Sequence, residues 1–306
     1  MRRLESRAKP FLKWAGGKSQ LLPDIQQLLP RQLKQGNIRR YIEPFVGGGA
    51  VFFFLAQSCE LEEIIISDIN VELLIAYRTV REDVRGLIRH LSRLTHNFLS
   101  LDETERSRFF YEQRALFNAS RKKMDFPHFQ SSWVRRTAQF IFLNHTCFNG
   151  LYRTNSKLDF NVPFGRYKQP GIFDEDNLRT ASRLLQNVKI LSGDFAICKE
   201  AADKNTFIYF DPPYRPLSKT ANFNTYYKAV FDDEDQARLA ALLRELSRRG
   251  AKLMLSNSDP KNENPDDDFF DQLYKDFRIT RVQAARAINS NSAKRGHISE
   301  LIITNY

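Results

Sequence analysis

The sequence predicts an α/β fold, a doubly wound sheet interrupted by an inserted helical domain. Three observations point there. Residues 40–68 read as strand, glycine-rich turn, helix and strand, a β-α-β unit. The short apolar run Thr206-Phe207-Ile208-Tyr209-Phe210 reads as a buried strand that stops at Asp211-Pro212-Pro213-Tyr214. Between them, residues 71–144 are rich in Arg and Phe, almost free of glycine, and helically periodic.

In chain order, residues 21–29 carry helical spacing and are closed by Pro30. Arg40-Tyr41-Ile42 is a strand entering the turn Pro44-Phe45-Val46-Gly47-Gly48-Gly49, and residues 51–56 begin a buried helix. Glu63-Ile64-Ile65-Ile66-Ser67 is a second strand, ending at Asp68. After the helical stretch, residues 148–168 break the pattern with Asn-Gly, Thr-Asn-Ser and Pro-Phe-Gly turns, for which a β-hairpin fits best. The α/β pattern resumes after Pro170-Gly171. It gives a helix near 174–186, strands at 188–191 and 206–210, a helix near 232–249, and strands at 251–256 and 301–304. Residues 259–268 are a turn-rich acidic loop. The implied division is 1–70 and 174–306 as two parts of the sheet domain, with 71–173 inserted between them.

Bulk properties narrow the class. The 306 residues carry a formal charge of +11, from 47 basic and 36 acidic side chains, which favours a polyanionic partner. No apolar run approaches the roughly 18 residues of a membrane span. The basic start MRRLESRAKPF lacks the apolar stretch of a signal peptide. Cys59, Cys147 and Cys198 are scattered without a CxxC, and the five histidines show no HExxH spacing. Neither a disulfide framework nor a metal site is expected, and the expected compartment is the reducing cytoplasm.

The chemistry concentrates at two turns. Asp211-Pro212-Pro213-Tyr214 follows a strand's carboxyl end, where open α/β sheets place their ligands. A carboxylate, carbonyls stiffened by two prolines and an aromatic face suit a planar ring bearing an exocyclic amine. The glycines after Phe45 permit a tight turn and close approach of a ligand. Asp68 stands roughly 20 residues on, where a carboxylate binds ribose hydroxyls. Phe52 occupies the third glycine position of GxGxxG, so a nucleoside without a pyrophosphate fits better than a dinucleotide. Gly17-Lys18-Ser19 resembles the end of a P-loop, but Leu12 stands where its first glycine belongs. Trp14 and Lys18 remain available for ligand packing and charge.

The strings KWAGGK, EPFVGGG, SDIN, FNGLYR with FNVPFGRYK, GDF, DPPY and ARAINSNSAKRGHISELIITNY occur in this order. Together they resemble the Dam-type, α-group (D12 class) DNA adenine methyltransferases over residues 10–306, and most closely the GATC-methylating branch, including enzymes of restriction systems. The resemblance implies the Rossmann-like mixed sheet of a class I S-adenosylmethionine-dependent methyltransferase, with 71–173 as target-recognition domain. It implies a monomer that acts on double-stranded DNA with base flipping. Asp211, Pro212 and Tyr214 would be catalytic. Trp14, Lys18, Glu43, Phe45, Gly47, Gly49, Asp68, Asn70, Asp194 and Asp211 would hold S-adenosylmethionine. Lys13, Leu151, Arg153, Pro163 and Arg295 would contact DNA, Arg153 reading a guanine and Arg295 a phosphate; Arg135, Arg136 and Lys294 are further phosphate candidates. A cytosine exocyclic-amine methyltransferase often carries Ser in place of Asp211, and RNA adenine enzymes commonly carry Asn. A non-catalytic DNA-binding relative stays open as an alternative. Thr154 within GLYRTN and the acidic 259–268 loop depart from the pattern and leave the recognition sequence open.

Overall fold

A computed structural model describes residues 7–123, 128–215, 231–285 and 297–306. The chain opens with α1 (Leu22–Leu28) and α2 (Arg31–Lys34), then β1 (Arg40–Glu43), α3 (Ala50–Ser58) and β2 (Glu63–Asp68). Four longer helices follow: α4 (Val71–Glu82), α5 (Val84–Leu99), α6 (Glu103–Ala119) and α7 (Ser132–Thr146). The second half contains α8 (Glu175–Leu185), β3 (Val188–Ser192), β4 (Thr206–Phe210), α9 (Asp233–Arg248), β5 (Lys252–Ser258), α10 (Phe269–Leu273), β6 (Arg278–Ala285) and β7 (His297–Thr304).

The seven strands form one mixed sheet in the order β3-β2-β1-β4-β5-β7-β6. Strands β1 to β5 run parallel, and β7 enters antiparallel between β5 and β6. The chain steps outward from β1 to β3 and then crosses back to β4 on the other side of β1. Such a reversal is where open α/β sheets place their ligands, here at the carboxyl ends of β1 and β4. Strand alternation explains the two-sided core. Tyr41, Phe207, Tyr209 and Met254 face one layer, with α1, α3 and the inserted helices. Ile42, Ile208, Phe210, Leu253 and Leu255 face the other, with α9 and Phe270.

Capping residues set the helix starts. Asn70 accepts from the Glu72 and Leu73 N–H groups at the head of α4, and Asp102 forms a capping box with Glu105 at α6. The inserted helices extend the sheet's own apolar cluster, with Phe98, Phe110, Phe142 and Phe164 meeting edge-on or tilted.

The expected hairpin is an antiparallel return rather than a regular ladder. It begins with a 3-10 turn at Phe148–Gly150 and has two isolated bridges, Cys147 to Phe164 and Thr154 to Phe160. A few backbone bonds cross the return, such as Asn161 N–H to the Arg153 carbonyl, and side chains of the 106–121 region meet further main-chain groups. Asn118 pairs with both main-chain groups of Phe160, Arg114 donates to the Val162 carbonyl, and Arg121 to that of Lys157. Three elements were not expected from the pattern: the single turn α2 after Pro30, α10, and the edge strand β6, whose polar sequence RITRVQAA hides its pairing with β7. Among the described residues, no helix is long and apolar enough to cross a membrane.

Candidate active site

The glycine turn after β1 is packed from two sides. Gly47 has φ +48, and a Cβ there would lie 3.0 Å from the Trp14 ring. At Gly49, with φ +75, a Cβ would meet the Tyr77 hydroxyl at 2.4 Å. That hydroxyl donates to the Gly47 carbonyl at 3.1 Å. Only glycine fits both positions. Asp68, at the end of β2, accepts the Gly47 N–H at 3.1 Å and the Asn70 N–H at 2.9 Å. Burial raises its pKa, while backbone N–H groups of Asn70, Gly47 and Ile69 oppose that rise. The main chain of the GDF turn joins here, since the Gly193 N–H reaches the Asp68 carbonyl at 3.2 Å.

The second centre follows β4. Asp211 Oδ1 pairs with Lys18 Nζ at 2.7 Å and accepts from Ser256 Oγ at 3.2 Å. Ser256 Oγ is in turn 2.7 Å from the Tyr209 hydroxyl. Both contacts fall on one oxygen, and among the described residues no side-chain donor reaches Oδ2. Lys18, only 4% exposed, also donates to the Gly16 carbonyl at 2.6 Å, and its Nζ lies 4.8 Å from the Tyr214 ring centre. The Tyr214 hydroxyl donates to Glu300 Oε2 at 2.8 Å, fixing the ring from β7. Glu43 is buried and accepts from the Tyr41 hydroxyl. Burial pushes the Glu43 carboxyl well above the usual range; the Tyr41 bond opposes this, and Asp211 and Asp68 add to it. Burial also raises Asp211, against the pull of Lys18 and Ser256. Pro212 is buried, and the Pro213 carbonyl accepts from Gln236 at 3.4 Å.

The 148–168 return lies beside the first loop. Lys13 is exposed, with Nζ 5.4 Å from the Tyr167 ring centre. Trp14 stacks on Tyr152 at 5.5 Å and 20°. Arg153 is exposed and donates through Nε to Asn161 Oδ1 at 2.8 Å. Pro163 is exposed, and Leu151 is half-buried against the core.

Residues 14–288 match the family of D12 class N6 adenine-specific DNA methyltransferases. The chain belongs to this family. It is 55% identical to the type II methyltransferase M.MjaIII of Methanocaldococcus jannaschii, across 97% of this chain and 99% of that one. It is 39% identical to the type II methyltransferase M1.LlaDCHI of Lactococcus lactis subsp. cremoris, covering 97% and 95% of the two chains. Against the DNA adenine methylase of Haemophilus influenzae the identity is 35%, over 96% and 92%. The seven-stranded mixed sheet is thus that of an adenine-specific DNA methyltransferase.

In this methyltransferase, contacts link Trp14, Gly47, Asp68 and Asn70 in one group and Lys18, Asp211 and Tyr214 in another, with Glu43 between their charges. Asp194 stands differently. Arg238 takes both its oxygens, at 2.8 and 2.9 Å, and Asp194 also caps the 3-10 turn that follows it. Phe45 stacks on Phe195, the next residue, at 5.4 Å. Arg136 is not a phosphate ligand: it is 4% exposed and forks onto Glu72. Its neighbour Arg135 is exposed. Arg295 and Lys294 lie outside the described residues. Sequence reasoning missed Ser256, Glu300 and Ile69. Ile69 is 65% exposed beside Asp68, and its only signal was an apolar residue between two polar ones.

Proposed function

We propose that this methyltransferase moves the methyl group of S-adenosylmethionine onto the exocyclic amine of adenine in duplex DNA, at GATC, with the target base flipped out of the stack. The observation that carries this is the one-sided bonding of Asp211: Oδ1 is held by Lys18 and Ser256, and Oδ2 faces no side-chain donor among the described residues. An adenine amine is a weak nucleophile because its lone pair is delocalised into the ring. A carboxylate oxygen and the Pro212 carbonyl, each accepting one N–H bond, draw that nitrogen toward tetrahedral geometry. Preorganised partners of this kind contribute about 3 kcal/mol each.

The residues fit the cofactor. A turn that excludes Cβ atoms admits close approach, Asp68 offers carboxylate oxygens for ribose hydroxyls, and exposed Ile69 offers an apolar surface beside them. When bound, S-adenosylmethionine supplies a methyl group already activated by a positive sulfur. Lys18 keeps Asp211 ionised and oriented, and Tyr214, held by Glu300, presents a ring face on which the base stacks. The amine nitrogen sits in plane within the stack, so in-line attack requires flipping.

Assignment to GATC rests on the FNGLYR and FNVPFGRYK strings, and the exposed guanidinium of Arg153 suits the major-groove edge of guanine. Relatives named type II methyltransferases support service beside a restriction endonuclease. The test is to incubate unmethylated plasmid with protein and S-adenosylmethionine, then map modified bases by single-molecule sequencing. Methyladenine confined to GATC is the expected result. Methyladenine at another sequence would move the error to the recognition return, and no modified base would overturn the reading.

A further inference from the structure

The last turn of α7 ends against two functional loops. Asn144 there is fully buried. Its Oδ1 accepts the Lys13 N–H at 2.7 Å, and its Nδ2 donates to the Lys13 carbonyl at 2.9 Å and the Gly150 carbonyl at 3.0 Å. A side-chain amide that meets both main-chain groups of one residue acts as a strand partner would, fixing that residue in position and in rotation. Lys13 opens the loop that carries Trp14 and Lys18. Gly150 opens the stretch that carries Leu151 and Arg153.

Two further contacts join the same loops. Gly150, at φ +62, presses so closely on the Lys13 stem that a Cβ would lie 2.4 Å from Lys13 Cδ. Trp14 stacks on Tyr152. Neighbouring positions on α7, from Phe140 to Leu143, are fully buried and apolar. Packing alone would be served there by another apolar side chain, since a buried amide is tolerated only when its bonds are met. All of Asn144's side-chain bonds go to the two loops.

We propose that Asn144 is a positioning residue that couples the cofactor loop to the recognition return, so that cofactor and duplex each strengthen the other's binding. This rests on the cofactor and substrate reading above. Coupling of this kind is reciprocal, so either ligand can report it.

The test is to titrate the full-length protein with sinefungin, a cofactor analogue without a transferable methyl group, in the absence and presence of a GATC duplex. In the unaltered protein the duplex should tighten sinefungin binding by about tenfold or more. In Asn144→Ala that factor should fall below about twofold, while the affinity for sinefungin alone stays within about threefold. A residue that served packing alone would lower the melting temperature and leave the factor intact. Gly150→Ala, which disturbs the same junction without emptying a buried site, should also lower the factor and decides the matter if Asn144→Ala does not fold. A factor unchanged in the folded variants, or absent from the unaltered protein, overturns the proposal. If the unaltered protein still methylates adenine at GATC, only the coupling fails; without that methylation the functional reading falls too.

Discussion

Asp211 has two oxygens in different company, and the difference gives each a role. Oδ1 takes the Lys18 ammonium and the Ser256 hydroxyl, and the proposed mechanism assigns the amine to Oδ2. Asp211→Ala should lower kcat by at least about 100-fold, the equivalent of roughly 3 kcal/mol, with an unchanged circular dichroism spectrum. Near-normal turnover would remove Asp211 from the mechanism. With Oδ1 held by two donors, Oδ2 is free to accept from an amine when the carboxyl is ionised and becomes a donor when it is protonated, and burial raises its pKa above the ordinary aspartate value. Turnover should therefore fall as pH drops through that raised value. Ser256→Ala removes a bond that favours the ionised form, so the acid limb of kcat should move to higher pH. A limb that stays in place would show that Ser256 does not govern Asp211. The DPPY string made Asp211 and Tyr214 legible in the sequence as residue types. Ser256 and Glu300 were not legible, because they lie 45 and 86 residues from the groups they hold. The pairing of β5 with β4 brings Ser256 alongside, and the pairing of β7 with β5 brings Glu300.

At the scale of elements, adjacent arginines on α7 show where sequence patterning stops. Consecutive helical residues point about 100° apart. That turn sends Arg135 outward and Arg136 into the core. What makes burial tolerable is Glu72 on α4, which receives the guanidinium fork, together with the Phe117 carbonyl and the Ser120 hydroxyl. Arg136→Ala would strand the Glu72 carboxylate and should cost about 3–5 kcal/mol in unfolding free energy, leaving the salt dependence of DNA binding unchanged. Arg153→Ala is the opposite case: it should leave stability within about 0.5 kcal/mol and relax the sequence preference mapped on plasmid. An Arg136 variant that melts normally but flattens the salt slope would return that residue to the DNA interface. The 148–168 return was legible as a turn-rich reversal. Its irregular pairing was not, because the donors that supplement its few cross-strand bonds, Arg114, Asn118 and Arg121, lie on an earlier stretch of chain.

Over the whole molecule, the chain's last strand completes the sheet. β7 pairs with both β5 and β6, and Leu301, Ile302 and Ile303 are fully buried, alternating between the two core layers. Asn305 binds the Ala251 carbonyl and the Ser247 hydroxyl, and Tyr306 donates to the Leu28 carbonyl. The βαβ unit at 40–68 and the strands at 188–191, 206–210 and 251–256 were readable from short apolar runs, since parallel strands buried on both faces are apolar throughout. The 297–300 stretch was not, because His297-Ile298-Ser299-Glu300 carries three polar residues before the apolar run. One of those residues is Glu300, so β7 joins sheet closure to the position of Tyr214. These two roles separate experimentally. Removing residues 297–306 takes away a strand with two neighbours and should leave no cooperative thermal transition. Glu300→Ala keeps the strand, removes only the acceptor of the Tyr214 hydroxyl, and should lower kcat by about threefold to tenfold while costing no more than about 1.5 kcal/mol in stability. A variant as active as the parent would mean that β7 serves the sheet alone and that the Tyr214 ring is held by the Asp211-Pro212-Pro213 backbone without help from Glu300.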